Sequence, residues 1–196
     1  MEGPRQSWIL ALRERLVSPP PRRLPPRDLR QASVLVPLYV EAGELWTVLT
    51  KRTDTLPSHR SQIAFPGGGR ELKEDPWAAA LRETEEEIGL ERRVVLKLGE
   101  LDEVESPAGF RVIPCVGAIP YPYKVEANAA EIAEVFSLPL AAFANPRLVE
   151  EREVRINGMK RSILIYHIGS RQIWGLTARI LQNLLVRLGM ESEEAN

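Results

Sequence analysis

Cysteine, long apolar runs and net charge are all scarce in this sequence. Its one cysteine, Cys115, allows no internal disulfide. It lies in Val112-Ile113-Pro114-Cys115-Val116, where core filling is expected rather than nucleophilic chemistry, and a reducing compartment fits. The longest apolar runs, such as Ala32 to Val40 and Val112 to Ile119, fall far short of the roughly 20 residues that cross a membrane. No signal peptide opens the chain, so the expectation is a cytoplasmic protein with no membrane partner. A net charge of −1, from 26 basic and 27 acidic residues, supplies no field that would gather nucleic acid or anionic lipid, and no nucleic-acid partner is expected. Internal repeats are absent as well.

What is present is enough for one good core. A chain of 196 residues with 44% hydrophobic content is long enough for one domain and cramped for two. Trp8, Ile9, Leu12 and Leu16 at helical spacing predict a helix over 7–17, ended by Ser18-Pro19-Pro20-Pro21, because proline has no donor and blocks the preceding turn. Residues 1–27 therefore read as an N-terminal helix and Pro-rich linker, 28–190 as the main domain and 191–196 as a polar tail. Ala32 to Val40 and Leu45 to Thr50 form an expected hairpin about Glu41-Ala42-Gly43-Glu44. After the polar stretch from Arg52 to Gln62 come Ile63-Ala64-Phe65, a turn at Pro66-Gly67-Gly68-Gly69 and a helix from Pro76 to Ile88, with Pro76 in its first turn and Gly89 as its C-terminal cap. Val94 to Val104 and Phe110 to Ile119 read as strands, and Ala130 to Phe136 as either strand or helix. A hairpin at Asn157-Gly158 and an apolar helix from Leu176 to Leu188 complete the chain. This order predicts an α/β fold, a mixed β-sheet covered on both faces.

The Pro76–Ile88 helix carries the chemistry. Glu83, Glu86 and Glu87 stand at i, i+3 and i+4 and so leave one helical face, with neighbouring Cβ atoms roughly 5 to 6 Å apart. Between Lys73 and Glu91 the only basic residue is Arg82. A face this negative asks for a cation, and a hard divalent ion takes oxygen ligands while leaving part of its shell for phosphate.

The glutamates sit in Gly68-x5-Glu74-x7-Arg82-Glu83-Thr84-x-Glu86-Glu87-x-Gly89-Leu90. This resembles the signature of the Nudix hydrolase family, G-x5-E-x7-R-E-U-x-E-E-x-G-U, with every fixed letter in place. A chance match of seven fixed letters is on the order of one in 10⁸ per starting point. Thr84 departs from the bulky aliphatic of the pattern, although its methyl can still face the core. The resemblance implies a Nudix-type α/β/α sandwich that hydrolyses pyrophosphate links in nucleotide-containing small molecules with Mg²⁺ or Mn²⁺. It implies Glu83, Glu86 and Glu87 as metal ligands, joined by the carbonyl of Gly68, with Arg82 and Glu74 fixing carboxylate rotamers. Glu86, Glu131 and Glu134 remain alternatives for a general base.

The flanks narrow the substrate. Val48-Leu49-Thr50-Lys51-Arg52-Thr53 followed by Phe65-Pro66-Gly67-Gly68 is similar to the extended motif of the coenzyme A pyrophosphatase branch, L-L-T-x-R-S/A-x3-R-x3-G-x3-F-P-G-G. Pro57 stands where that pattern has arginine, and Ser61 where it has glycine. Trp174-Gly175-Leu176-Thr177-Ala178-Arg179 looks like the C-terminal part of the same branch. The resemblance implies coenzyme A as substrate, cut to 4′-phosphopantetheine and adenosine 3′,5′-bisphosphate. Lys51, Arg52, His59, Arg60 and Gln62 are then the candidate substrate-binding residues. The competing expectations are a hydrolase of ADP-ribose or another dinucleotide, and a catalytically inactive nucleotide-binding module. A homodimer is compatible with the sequence, which does not specify it.

Overall fold

The computed structural model describes residues 4–54, 62–156 and 159–190. Helix α1 (Pro4–Val17) is followed by strands β1 (Arg30–Glu41), β2 (Glu44–Arg52), β3 (Ile63–Ala64) and β4 (Gly67–Gly69), and then by helix α2 (Pro76–Ile88). Strands β5 (Leu96–Glu100), β6 (Val104–Glu105), β7 (Phe110–Ala118) and β8 (Ile132–Pro139) come next. The one-turn helix α3 (Leu140–Phe143), strands β9 (Val149–Ile156), β10 (Met159–Ile168) and β11 (Arg171–Trp174), and helix α4 (Gly175–Leu188) follow. The main sheet has the order β3-β2-β1-β7-β5, with β4 on β1, β6 on β7 and β8 on β2. β1 runs parallel to β7 and its other pairings are antiparallel, so the sheet is mixed. Strands β9 to β11 form a second, antiparallel sheet.

Strand alternation explains the layers. Along β1, Leu35 and Tyr39 point into a cluster with Trp77, Ala80, Leu81 and Ile88 of α2. Val36 and Leu38, on the opposite face, join Leu12 and Leu16 of α1 and Leu181 and Leu184 of α4. An apolar residue at every position is what a strand buried on both faces requires. The result is an α/β/α sandwich in which, among the described residues, α2 is the one α-helix on its side of the sheet. Cys115 is buried in the α2 layer, where the loss of hydration pushes its thiol well above its ordinary pKa.

The Pro-rich segment after α1 has no regular structure, yet it is fastened to the sheet. The Arg22 backbone N–H and its Nε both donate to Asp102, at 3.0 and 2.6 Å, and Leu24 N donates to Glu103 at 2.7 Å. Arg187 of α4 donates to the same Asp102 at 2.6 Å.

Three local expectations need correction or completion. The glycine run is a strand, with Gly67, Gly68 and Gly69 opposite Val34, Ser33 and Ala32. β1 extends beyond its pairing with β2, and its free edge captures the run. Val94 to Val104 is not one strand: Arg92–Val94 is a 3₁₀ turn, and the ladder breaks after Glu100. There Asp102 leaves the sheet to meet Arg22 and Arg187. The ambiguous segment is a strand, since β8 pairs with β2. The turn residues Asn157 and Gly158 lie outside the described residues, and Ile156 pairs with Met159 on either side of them. Among the described residues no helix is long and apolar enough to cross a membrane.

Candidate active site

Helix α2 has strong boundaries. The Asp75 carboxylate accepts from Trp77 N at 3.0 Å and Ala78 N at 3.2 Å, Pro76 occupies the first turn, and Gly89 caps the far end at φ 66°. Thr84 is buried in place of an aliphatic residue and loses no hydrogen bond, because its hydroxyl donates to Ala80 O at 2.6 Å.

Glu87 is the most enclosed carboxylate of the box, only 4% exposed. Burial pushes its pKa up to about 7. The Gly67 N–H on Oε2 at 3.1 Å and the Arg52 guanidinium at 3.4 Å pull the other way, while the charges of Glu131 and Glu83 add to the rise. Glu131, at the entry to β8, stands 4.0 Å from the other end of the Arg52 guanidinium. Residues far apart in sequence thus form one carboxylate–guanidinium–carboxylate line.

Glu83 occupies the space beside Gly68. A Cβ built on that glycine would lie 2.3 Å from Oε2 of Glu83, so a side chain there and the carboxylate exclude each other. Arg82 organises this end of the site. It donates to both oxygens of Glu74 at 3.0 Å, to Glu83 at 2.7 Å, to Gly69 O at 3.0 Å and to Glu86 at 3.4 Å. Hydrogen bonding to Arg82 and to the Glu71 N–H lowers the Glu74 carboxyl to about 2, and hydrogen bonding to Glu74 and Glu83 raises Arg82 above its ordinary value. Arg70, a residue the sequence did not single out, donates to Glu74 O at 3.0 Å and braces the loop.

The remaining candidates divide. Lys51 pairs across the sheet with Ile63 and Glu134. Gln62 O accepts from Arg52 N at 3.1 Å, and its side chain approaches Gly175 at the start of α4. His59 and Arg60, with Pro57 and Ser61, lie outside the described residues. Glu134 is bound by Arg171 at 2.5 Å. Glu86 is the open member of the box, with its side chain 57% exposed.

Residues 29–154 match the NUDIX domain family. Over 167 residues the chain is 36% identical to an uncharacterized Nudix hydrolase, NudL, of Photorhabdus laumondii, covering 85% of this chain and 88% of that protein. The chain belongs to the Nudix hydrolase family. The NudL protein of Cronobacter sakazakii, also described as uncharacterized, is 37% identical over 161 residues, 82% of this chain and 83% of its own. A solved MutT/nudix family protein from Enterococcus faecalis aligns with a TM-score of 0.57 over 85% of this chain and 64% of that one, at 19% identity. That likeness concerns the Nudix fold alone. The chain is accordingly a pyrophosphohydrolase of a family that acts on nucleotide-type substrates and typically uses a divalent metal.

The Nudix carboxylates fit such a metal in charge more than in present geometry. Among the described residues no three acidic, histidine or cysteine side chains converge as a finished cage. Glu83 turns to Arg82, and Glu87 to Gly67 and Arg52. The raised Glu87 carboxyl nevertheless marks a buried acid with less positive charge around it than its ionised form needs, which a divalent cation would supply. Gly67 was not foreseen as part of the site. Its place in Phe65-Pro66-Gly67-Gly68 was the sequence signal at that position, and it carried no indication of an N–H on Glu87.

Proposed function

We propose that this Nudix hydrolase cleaves the pyrophosphate bond of coenzyme A or its derivatives, giving 4′-phosphopantetheine and adenosine 3′,5′-bisphosphate. The observation that carries this reading is the meeting of the two ends of the coenzyme A-branch motif on one carboxylate. Arg52 and the N–H of Gly67 both donate to Glu87.

In this reading Glu83, Glu86 and Glu87, with the Gly68 carbonyl, hold Mg²⁺ or Mn²⁺. The bound ion supplies charge neutralisation for the diphosphate and a lowered pKa for the attacking water. Arg82 sets the rotamer of Glu83 by direct hydrogen bonding and ties the box to the glycine strand through Gly69 O. Glu131 is the favoured general base. Its side chain is 44% exposed and its charge is felt at Glu87, whereas Glu134 is engaged by Arg171. Glu86, on the box itself, is the alternative base. Lys51, Arg52 and Gln62 are the residues assigned to the diphosphate and the 3′-phosphate, and His59 joins them on its sequence position alone.

Pro57, in place of the arginine of the branch pattern, favours a second reading. Without that cation the site suits ADP-ribose or another dinucleotide, which needs no 3′-phosphate contact. The complete set of box glutamates speaks against an inactive binding module. A panel of coenzyme A, dephospho-coenzyme A, ADP-ribose, NADH and diadenosine polyphosphates, with Mg²⁺ and with EDTA, tests the assignment. Coenzyme A is expected to give the highest kcat/KM. Faster cleavage of ADP-ribose would replace the first reading with the second, and no turnover of any substrate would favour the binding module.

A further inference from the structure

Arg82 and Arg52 are both part-buried beside the box, and they are satisfied very differently. Arg82 makes five hydrogen bonds. Among the described residues, Arg52, with its side chain 27% exposed, has Nε buried without a partner, Nη1 at 3.4 Å from Glu87 and Nη2 at 4.0 Å from Glu131. The last separation is too long for a hydrogen bond. Enclosed N–H donors are seldom left in this state. A planar fork with donors to spare, held at the edge of a pyrophosphatase site, is matched to two phosphate oxygens through a bidentate pair of hydrogen bonds.

Glu87 also makes conflicting demands. The oxygen that faces Arg52 belongs to the carboxylate assigned to the metal, and a divalent cation and a guanidinium repel each other across so short a distance. Both oxygens of Glu87 are engaged, Oε1 by Arg52 and Oε2 by the Gly67 N–H, so a metal on Glu87 competes with Arg52 for Oε1, whereas Arg82 takes only one oxygen of Glu83. Resting on that ligand assignment, we propose that Arg52 is an exchangeable counter-ion: it neutralises Glu87 and Glu131 before the metal is bound, and on metal loading it is released to grip the diphosphate of the substrate.

The exchange has two consequences. The metal-free site is kept from holding unneutralised carboxylates, so Arg52 weakens metal binding by competing for Glu87. By linkage, metal and substrate assist each other, since the ion frees the residue that the diphosphate requires. A merely supporting arginine, one that orders Glu87 for coordination, would act with the opposite sign.

Mn²⁺ binding followed by the paramagnetic resonance of the free ion, without substrate, separates the two. Arg52→Ala is expected to bind Mn²⁺ at least about fivefold more tightly than the parent, while its kcat/KM in the presence of saturating metal falls at least about tenfold. Unchanged or weaker Mn²⁺ binding in Arg52→Ala would overturn the exchange. Should that variant fold poorly, the parent protein answers by nuclear magnetic resonance of its ¹⁵N-labelled arginine side chains. The Nε signal of Arg52, assigned by its loss in Arg52→Lys, should shift as Mg²⁺ is added, and a signal unmoved at saturation refutes the release. Glu87→Gln serves as the control for the underlying reading. If it retains parental Mn²⁺ affinity, the ligand assignment fails and the exchange with it, whereas lost binding there with no gain in Arg52→Ala removes the exchange alone.

Discussion

A Cβ on Gly68 would stand 2.3 Å from Oε2 of Glu83, so the missing side chain of one residue is the seat of the other's carboxylate. The adjacent Gly67 is constrained by backbone instead. Its φ is +147°, and a Cβ there would lie 2.4 Å from Ser33 O and 2.5 Å from Val34 Cα.

The two glycines should therefore fail differently when changed to alanine. In Gly68→Ala the obstacle is the end of a flexible glutamate, which can swing aside. Stability should change by less than about 1 kcal/mol, while kcat drops by about 100-fold because Glu83 is displaced. In Gly67→Ala the strand itself must move, and a loss of roughly 2 to 4 kcal/mol is expected. Urea unfolding alongside steady-state kinetics distinguishes the pair.

Glu83→Gln and Glu87→Gln are each expected to lower kcat by at least about 100-fold, since each removes a charge from the metal site at constant volume. Glu87→Gln should also be no less stable than the parent in EDTA, because an amide replaces a carboxyl that burial has already pushed up to about 7. Near-normal turnover in either variant would remove it from the ligand set.

Arg82→Ala should lose activity through misplacement of Glu83 and Glu74, and lose less than Glu83→Gln does. Parallel measurement of kcat and of bound Mn²⁺ decides the point. A loss as large as that of Glu83→Gln with full metal content would mean that Arg82 touches the substrate.

Asp102 gives the fold a pH signature. Burial alone would raise its carboxyl, but the Arg22 N–H and the Arg22 and Arg187 guanidinium groups outweigh this and hold it at about 2. The drop from an ordinary 3.8 corresponds to roughly 2 kcal/mol. A depressed acid stabilises the fold above its unfolded value and loses that contribution as pH falls through its folded one. The stability gap between the parent and Asp102→Asn should accordingly be constant from about pH 7 to about pH 4 and narrow towards pH 2, by urea titration. A gap independent of pH would mean that the carboxylate's charge is not what fastens the segment.

The parts of this molecule that were legible in its sequence are those fixed by local periodicity. The spacing of Glu83, Glu86 and Glu87 determines a shared helix face, and Asp75-Pro76 and Gly89 determine where that helix starts and stops. What local spacing cannot encode is pairing at a distance. Arg52 and Glu87 are 35 positions apart, and nothing near either residue announces their contact. The glycine run has no side chains to alternate, so it read as a turn, and only the free edge of β1 makes it a strand. Asp102 sits in a run that looked like one strand because its ion partners, Arg22 and Arg187, lie 80 and 85 residues away.

The contacts between α1 and α4 also have a bearing on biosynthesis. Arg15 donates to Leu188 O and Arg187 donates to Leu16 O, across sequence separations of 173 and 171 residues. On a ribosome adding about 5 to 20 residues per second, α1 therefore waits roughly 10 to 35 s before α4 has even been made. During that interval Leu12 and Leu16, which the finished protein buries, have only part of their destination available. Helix α1 thus precedes α2 and α4 in synthesis but completes its contacts only once α4 exists, so Leu12 and Leu16 lack their final packing while the catalytic box is translated.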